Sequence, residues 1–564
     1  MSLEHELRSV KYISGGLALI TLFVYTAQIS DPVNAPKFLL MGLTSFLAIS
    51  LLLIPNAREI IGKFKLIFYS AGFMVFFMCV SVAKSQSPYS ENIYGVQGRN
   101  TGFLNHIALL GILLAILGVT NLKSLRILFF GLLSAGLGNV AYCLWVLIFG
   151  DFIGWNNPYK SLLGTLGNPN FASSFLAITT SGFIGYVFTQ KNPLTQKIIY
   201  ISLISIVIFE IVKTNSTQGL VVLLVGVYLT SLFYLHLKIQ KRVYTLLWVI
   251  CGFILAILGV AGLSNQGPLA KILFQETLAF RWQYWSAGIK MGAKFPLTGV
   301  GMDSYGDWYR QLRTARSVIE PGVNVVTNVS HNVYIDAFAN GGFPLLISYL
   351  IFSSLAVKSI LKMLRNAHSL DPLFVGISVA WLSFQLQSLI SINQIGISIW
   401  GWALTAMLIV YPSTINEYSH KEKSPSKNSK NRNRSVSILS PVIVTVASLL
   451  AFLLYLPPLL ADHKWTVAYS HKNADELVAA MKGTYFSPSN SMKYLQAIQL
   501  FENSNRPEQA HQFALQAIKF NPRSFDAWQM LYKIKNSTGA ERKLALQKMI
   551  HLDPRNVELR KLSE

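Results

Sequence analysis

The segment between residues 281 and 343 contains the side chains best suited to chemistry. A basic and aromatic stretch opens with Arg281 and includes Trp285, and the pair His331-Asn332 follows later in the segment. Arginine stays charged at physiological pH and grips phosphate through two parallel hydrogen bonds. Histidine titrates near neutrality and can take a proton from a hydroxyl. These residue types therefore predict a site that binds a diphosphate and activates an acceptor hydroxyl.

Charged residues at the ends of apolar runs are further candidates, because they are costly beside a membrane and often functional. Arg99 lies in Gly-Arg-Asn-Thr-Gly before one run, and Lys213 closes another. Glu210 lies inside that second run, and we interpret it either as a direct participant or as a buried carboxyl paired with Lys213. His106 opens a run, and its position favours a hydrogen-bonded packing role.

Three further arginines, Arg310, Arg313 and Arg316, are spaced three residues apart. On a helix this spacing places them on one face. We expect that face to be a solvated surface.

The amino-acid composition indicates the class of protein to which these residues belong. Hydrophobic residues make up 52% of the 564 residues and charged residues only 13%, whereas soluble domains carry about 25% charged residues. A polytopic membrane protein of all-α fold is predicted, and a soluble enzyme is excluded. The net charge of +23 is typical of basic cytoplasmic loops. We expect no nucleic-acid partner, since no basic stretch is interleaved with stacking aromatics.

Thirteen apolar runs approach the length of about 20 residues that a spanning helix needs, so we expect about 12 to 13 spans. They lie near residues 10–29, 37–54, 64–83, 103–120, 126–150, 168–189, 197–213, 219–237, 243–263, 343–358, 373–392, 395–411 and 437–460. Lysine and arginine concentrate in alternate loops, which predicts a cytoplasmic N-terminus. An odd number of spans then places the C-terminal region outside the cell membrane.

Two polar regions divide the chain into four parts. In the C-terminal region, Phe-Ser-Pro488, Phe-Asn-Pro522 and Leu-Asp-Pro554 recur at intervals of 34 and 32 residues between helical patterns. This period resembles tetratricopeptide repeats, and the tail is interpreted either as a partner-binding solenoid or as a bundle that packs on the membrane domain. The predicted parts are helices 1–9 at 1–263, an extracytoplasmic catalytic loop at 264–342, helices 10–13 at 343–460 with a basic cytoplasmic linker at 412–436, and an extracytoplasmic tail at 461–564.

Several motifs in order resemble the O-antigen ligase and O-antigen polymerase superfamily. Its signature is Arg and Trp on a helix, then Pro-Leu-x-Gly-x-Gly, then His-Asn, then a glycine pair. The matching residues are Arg281, Trp285, Pro296, Leu297, Gly299, Gly301, His331, Asn332, Gly341 and Gly342. Weaker similarities are Arg99 with Thr101-Gly102, Gly167-Asn-Pro-Asn170, and Ser216-Thr-Gln218-Gly219. The resemblance covers about residues 80–411.

The resemblance implies a multi-pass glycosyltransferase of the bacterial inner membrane, acting on the periplasmic face without metal or other cofactor. Its donor would be a glycan on undecaprenyl diphosphate, and its acceptor a lipid-linked glycan, the lipid A-core of lipopolysaccharide or a protein. His331 and Arg281 would be catalytic. The diphosphate or glycan would be bound by Arg99, Lys213, Gln218, Asn332, Trp285 and Asn170.

One position departs from the family pattern. Ligases usually carry an arginine where this chain has Gln218, and we expect Lys213 or Arg99 to replace its charge. The departure leaves ligase, polymerase and protein O-oligosaccharyltransferase open. A transporter or flippase for lipid-linked glycan is the alternative from another class, and a non-catalytic assembly protein whose tail recruits partners is a further alternative.

Overall fold

The computed structural model describes residues 2–273, 279–366, 371–392, 394–423 and 439–562. Within these ranges the chain is 77% helical and has no strands, which confirms the all-α prediction. Most of the basic residues of the predicted linker at 412–436 lie outside the described residues, as does the stretch 274–278 of the predicted catalytic loop.

Nine helices of the described chain are long and apolar enough to cross a membrane. They are Asn34–Lys63, Lys65–Lys84, Leu122–Phe149, Leu194–Lys213, Thr217–Ile239, Arg242–Leu263, Val333–Asn366, Pro372–Ile390 and Ile395–Ile415. The pair Pro441–Tyr455 and Pro457–His471 makes a tenth span if its 40° bend is one crossing. Pro457 and Pro458 lie at the bend and provide no backbone N–H for a continuous helix.

Of the expected 12 to 13 spans, nine to ten are helices of the described chain that have this length and apolar composition. The three remaining runs are helical but fail on length or polarity. Phe103–Ile116 has only 14 residues, Leu3–Leu22 carries charges in its first turns, and Pro169–Val187 is rich in Ser, Thr and Gly. All three contribute residues to one continuous buried apolar core.

Glycines allow the closest helix contacts in this core. Gly182 and Gly185 of Pro169–Val187 face Gly376 of Pro372–Ile390, and a Cβ on Gly182 would lie 2.9 Å from the Cβ of Ala380. Pro169–Val187 is thereby held deep in the bundle with its first turn fixed in place. That first turn lines the site described below.

The loop between the membrane helices and the C-terminal tail are both helical. The loop contains Ala270–Leu273, Arg281–Lys294, Tyr305–Leu312, Ala315–Ser317 and the π-helical turn Val318–Gly322. The tail contains Ala474–Met481, Ser491–Asn503, Pro507–Phe520, Phe525–Lys533, Gly539–Leu552 and Val557–Lys561. Pro488, Pro522 and Pro554 lie between consecutive tail helices, and the tetratricopeptide-like repeat stays a prediction.

The tail packs on the loop through buried ion pairs. Arg313 and Asp553 are both fully buried, with Nη2 2.5 Å from Oδ2 and Nε 3.1 Å from Oδ1. Arg310 lies 3.5 Å from the same carboxylate and 4.1 Å from the ring centre of Phe525. We call Arg310, Arg313 and Asp553 the clasp.

The expectation of one solvated arginine face is therefore wrong for two of the three residues. Helix Tyr305–Leu312 ends before Arg313, so the three arginines do not share a helix. Arg313 turns into the tail, while the Arg316 side chain is 76% exposed.

Candidate functional site

A large cavity of about 790 Å³ opens between the loop and the membrane helices. One wall is polar and comes from Asn170 and residues 215–218. The opposite wall is apolar and comes from the end of helix Arg242–Leu263. The helix Arg281–Lys294 closes the cavity with Arg281, Trp282, Gln283 and Trp285. The cavity therefore joins an apolar surface to a polar end, which suits an amphiphilic ligand.

Three helices begin at this large cavity. Asn170 lies in the first turn of Pro169–Val187, Thr217 begins Thr217–Tyr234, and Arg281 begins Arg281–Lys294. The Ser216 hydroxyl donates to the Asn170 side-chain oxygen at 2.8 Å and ties two of these starts together. Helix N-termini carry partial positive charge and free N–H groups that favour anions. The polar end of the cavity thus favours a negatively charged group.

Two buried polar atoms in the lining lack hydrogen-bond partners among the described residues. They are Oε1 of Gln218 and Nε1 of Trp285. The Gln218 amide nitrogen is satisfied by the Ser174 hydroxyl at 2.8 Å. Buried polar groups are normally paired, so these two atoms remain available to a ligand.

Two arginines line the large cavity. Arg281 donates from Nη1 to the carbonyl of Ile390 and forms no ion pair with a carboxylate of the described chain. Burial lowers the pKa of Arg281 to about 10, so it remains charged at neutral pH. Arg316 lies 3.6 Å from Glu320, which also lines the cavity.

Lys213 and Arg99, the expected replacements for the arginine absent at 218, do not line this large cavity. The Lys213 ammonium lies 5.3 Å from the ring centre of Phe209. Arg99 is instead paired with Asp303 at another cavity. The alternative that Glu210 pairs with Lys213 is not realised, because both carboxylate oxygens are buried without a hydrogen-bond partner in the described chain.

A small cavity lies next to the large one. Arg99 donates to the Asn328 carbonyl at 2.8 Å and to Asp303, whose other oxygen accepts from the Val96 N–H at 2.8 Å. His106, Asp336 and Asn340 also line this cavity. Arg99 and Val96 therefore link the segment before helix Phe103–Ile116 to the loop through Asp303 and Asn328.

His331 is in the lining of neither cavity, but it lies close to residues of each. Its neighbours Val329 and Val333 line the small cavity, and its ring centre lies 5.8 Å from that of Tyr284, next to Arg281. Neither ring nitrogen has a hydrogen-bond partner among the residues that the structure describes. The backbone of His331 is left-handed, with φ +57°, a strained conformation that concentrates at functional sites.

The neighbours of His331 hold this conformation. The Asn332 side-chain oxygen accepts from the N–H groups of Tyr334 and Ile335 at 3.0 and 3.1 Å, and its amide donates to the Leu389 carbonyl at 2.9 Å. Asn332 therefore caps the helix Val333–Asn366 and fixes the loop to the next helix. This geometry gives Asn332 a positioning role, while its predicted contact with substrate stays a prediction.

The electrostatic surroundings keep His331 neutral. Burial is the main cause that lowers its pKa to about 4, and the positive charges of Arg281 and Arg99 add to the effect. At neutral pH the ring therefore has a free lone pair that can accept a proton. The same two charges link His331 to both cavities, since Arg281 lines one and Arg99 the other.

The structure thus brings Arg281, Trp285, Gln218 and Asn170 to the large cavity, Arg99 to the small one, and leaves Lys213 apart. Sequence reasoning placed Arg316 on a solvated surface without a site role, and it did not single out Asp303 or Asp336, whose positions depend on tertiary contacts. A metal site was not expected, and no cluster of three or more His, Cys, Asp or Glu able to hold a metal occurs in the described residues.

The comparison with protein families matches the centre of the chain. Residues 200–350, about a quarter of its length, match the family model described as O-antigen ligase. This segment contains Arg281, His331 and residues 215–218 of the polar wall of the large cavity. A search of curated proteins found no match. With the apolar helices, the match suggests a multi-pass protein of the bacterial inner membrane, and it supports an O-antigen ligase-like membrane glycosyltransferase of the ligase and polymerase superfamily.

Proposed function

We propose that the protein transfers a glycan from an undecaprenyl diphosphate-linked donor to an acceptor hydroxyl on the periplasmic face of the inner membrane. The observation that carries this proposal is the large cavity, which joins an apolar wall to three helix N-termini and Arg281. A long lipid tail fits the apolar wall, and a diphosphate fits the cationic end. The family match at residues 200–350 supports the same reaction class.

In this mechanism Arg281 holds the diphosphate and stabilises the negative charge that grows on it as it leaves. The bond between the anomeric carbon and the diphosphate oxygen breaks, and a bond from the acceptor oxygen to that carbon forms. His331 takes the acceptor proton. Preorganised cations at a developing charge are typically the largest catalytic contribution. A direct displacement of this kind inverts the anomeric centre.

Arg316 supplies the second cation of the donor site in this proposal. It lines the large cavity with Arg281, whereas Lys213 lies apart and Arg99 is committed to Asp303. Glu320 holds Arg316 only through an exposed contact of 3.6 Å, and such contacts are worth about 0–1 kcal/mol. A bound diphosphate can therefore attract Arg316 away from Glu320.

Turnover by the purified protein tests the proposal. With an undecaprenyl diphosphate-linked oligosaccharide and an acceptor, we expect release of undecaprenyl diphosphate and appearance of a longer or newly glycosylated acceptor. Arg281→Ala is the matched inactive control. A protein that moves the donor across vesicles without releasing undecaprenyl diphosphate would instead be a flippase.

The orientation in the membrane has a separate test. The charge asymmetry of the sequence predicts an extracytoplasmic tail, and the tail contacts the loop that carries His331. A reporter that is active only in the cytoplasm, fused after residue 564, should be inactive. An active fusion would contradict a periplasmic site.

Deletion of the gene distinguishes the acceptor alternatives in the cell. Loss of long surface polysaccharide would indicate ligase or polymerase activity, whereas loss of glycan from a protein would indicate an O-oligosaccharyltransferase.

A further inference from the structure

The small cavity has features of a binding site that the donor does not use. Its lining shares no residue with that of the large cavity, and it includes Val329, Val333 and Asp336 from the segment around His331. The lining also includes Asn105 and His106 of helix Phe103–Ile116 and Trp402 of helix Ile395–Ile415. A group bound here would lie beside the segment that carries His331.

Two deeply buried side chains of this lining have unpartnered polar atoms. Asn105 is 2% exposed and Trp402 is 4% exposed. The Asn105 oxygen and the Trp402 Nε1 have no hydrogen-bond partner among the described residues. The Nε of Arg99 is also buried and unpaired. Buried polar groups are normally paired, so these atoms indicate a polar ligand.

The set contains both donors and acceptors of hydrogen bonds. Trp402 and Arg99 provide N–H donors, and Asn105 provides an acceptor. His106 adds a second acceptor, because its Nδ1 lies 3.0 Å from the Gly102 carbonyl and must carry the hydrogen. In the neutral ring Nε2 is then an acceptor. A ligand with several hydroxyls, each able to donate and accept, satisfies this mixture.

The size and the aromatic lining favour a sugar ring. The volume of the small cavity is about 90 Å³. One buried water needs about 10–15 Å³ of such volume, so the cavity has room for roughly six to nine waters. The rings of Tyr349 and Trp402 lie 5.9 Å apart at this site. Aromatic faces provide an apolar surface for the carbon-bound hydrogens of a sugar.

We propose that the small cavity is the acceptor subsite and that it binds a carbohydrate, whose hydroxyl His331 deprotonates. The inference rests on the proposed function, since it names the acceptor of the same transfer. A serine or threonine side chain offers a single hydroxyl and would leave most of the unpaired atoms unsatisfied. The test therefore includes a Ser/Thr peptide as an acceptor, and preferential transfer to it would contradict the inference.

The test compares the wild type with Trp402→Phe and Asn105→Leu. Each substitution removes one unpaired polar atom and keeps much of the side-chain volume. Trp400→Phe is the matched control, because Trp400 donates its Nε1 to Thr21 at 2.9 Å and does not line the cavity. The donor is an undecaprenyl diphosphate-linked oligosaccharide, and the acceptor probes are methyl hexosides, methyl N-acetylhexosaminides and a Ser/Thr peptide.

We expect the wild type to glycosylate a methyl glycoside in preference to the peptide. Trp402→Phe and Asn105→Leu should each raise the acceptor KM about three- to tenfold, the range of one hydrogen bond. The donor KM and the slow release of undecaprenyl diphosphate without acceptor should not change. Trp400→Phe should keep the wild-type acceptor KM.

Two results would overturn the inference: an unchanged acceptor KM in both cavity variants, or preferential transfer to the peptide. Failure of the proposed function is a different result, in which the wild type releases no undecaprenyl diphosphate. In that case, binding of the methyl glycosides is measured directly by saturation-transfer NMR. Binding that Trp402→Phe weakens would support the carbohydrate site, and absence of binding would reject it.

Discussion

Two arginines of the loop, Arg281 and Arg313, have opposite roles. At the clasp, Arg313 is fully buried and meets the Asp553 carboxylate with two hydrogen bonds. At the large cavity, Arg281 meets only a backbone carbonyl in the described chain. The charge of Arg313 is neutralised by Asp553 and holds the tail on the loop. The charge of Arg281 has no carboxylate partner in the described chain and remains available to a ligand. An arginine that lines a cavity is thus available to bind an anionic ligand when no carboxylate of the protein pairs with it.

The comparison also separates the effects that substitutions should have. Substitutions of residues at the large cavity should reduce glycan transfer with little loss of folding stability. Changes at the clasp should first reduce the stability of the contact between loop and tail.

The largest effect is expected for His331→Ala. General-base assistance contributes about a hundred- to ten-thousandfold in rate, so transfer should fall at least a hundredfold while donor binding persists. His331→Gln is the control, since it keeps a hydrogen-bonding group without a comparable base. Near-full transfer by folded His331→Gln would reject the base role and indicate a structural histidine.

Arg281→Lys should have the next largest effect. Lysine keeps the charge but loses the forked geometry that grips two phosphate oxygens. Loss of such a stabilising contact costs about 10²- to 10³-fold in kcat. Thermal unfolding should be nearly unchanged, because no carboxylate partner is lost. Wild-type turnover in this variant would remove Arg281 from the donor site.

Asp553→Asn should act mainly on stability. It leaves the Arg313 charge buried and unpaired, which costs about 3–5 kcal/mol. Hydrogen exchange should then increase in helices Tyr305–Leu312 and Gly539–Leu552, with a smaller loss of transfer. Asp526→Asn is the matched control, since its side chain is 53% exposed and lies 3.5 Å from Arg310. Equal exchange in the two variants would mean that the clasp contributes no more than a surface pair.

The smallest of the expected effects is that of pH near neutrality on the rate of transfer. His331 accepts a proton only when neutral, and its pKa is lowered to about 4. Activity should therefore be retained as pH falls through about 6.5, the ordinary histidine value, and be lost near pH 4 in kcat/KM. A bound diphosphate offsets the charge of Arg281, so the limb in kcat should lie at higher pH. A limb at 6.5 in both profiles would show that neither burial nor the two arginines lower the pKa of His331.

Much of the membrane architecture follows from apolar runs, and all thirteen predicted runs are helical over most of their length. Only nine to ten of these runs have the length and apolar composition of a crossing in the described helices, because a helix that its neighbours shield can be short or polar. Pro169–Val187 illustrates this: its Ser and Thr side chains are buried by neighbouring helices, a context that a sequence window does not contain.

The candidate site was only partly predictable, for a similar reason. Arg281 and His331 stand out by residue type and motif. Arg313 and Arg316 lie three residues apart and have opposite surroundings, which only the end of helix Tyr305–Leu312 and the packing of the tail determine. The pairing of Arg99 with Asp303 joins residues 204 positions apart, and no local pattern indicates it.

Helix Arg242–Leu263 has one further consequence. Gly262 is its only buried residue, and its end forms the apolar wall of the large cavity. Under the proposed function, a lipid-linked donor would enter a cavity with such a wall sideways, from within the lipid layer. A donor confined to that layer meets the protein by diffusion in two dimensions. Its effective concentration is then a mole fraction among the lipids, so diluting the donor with inert lipid should slow the reaction even when its amount per volume of solution is constant.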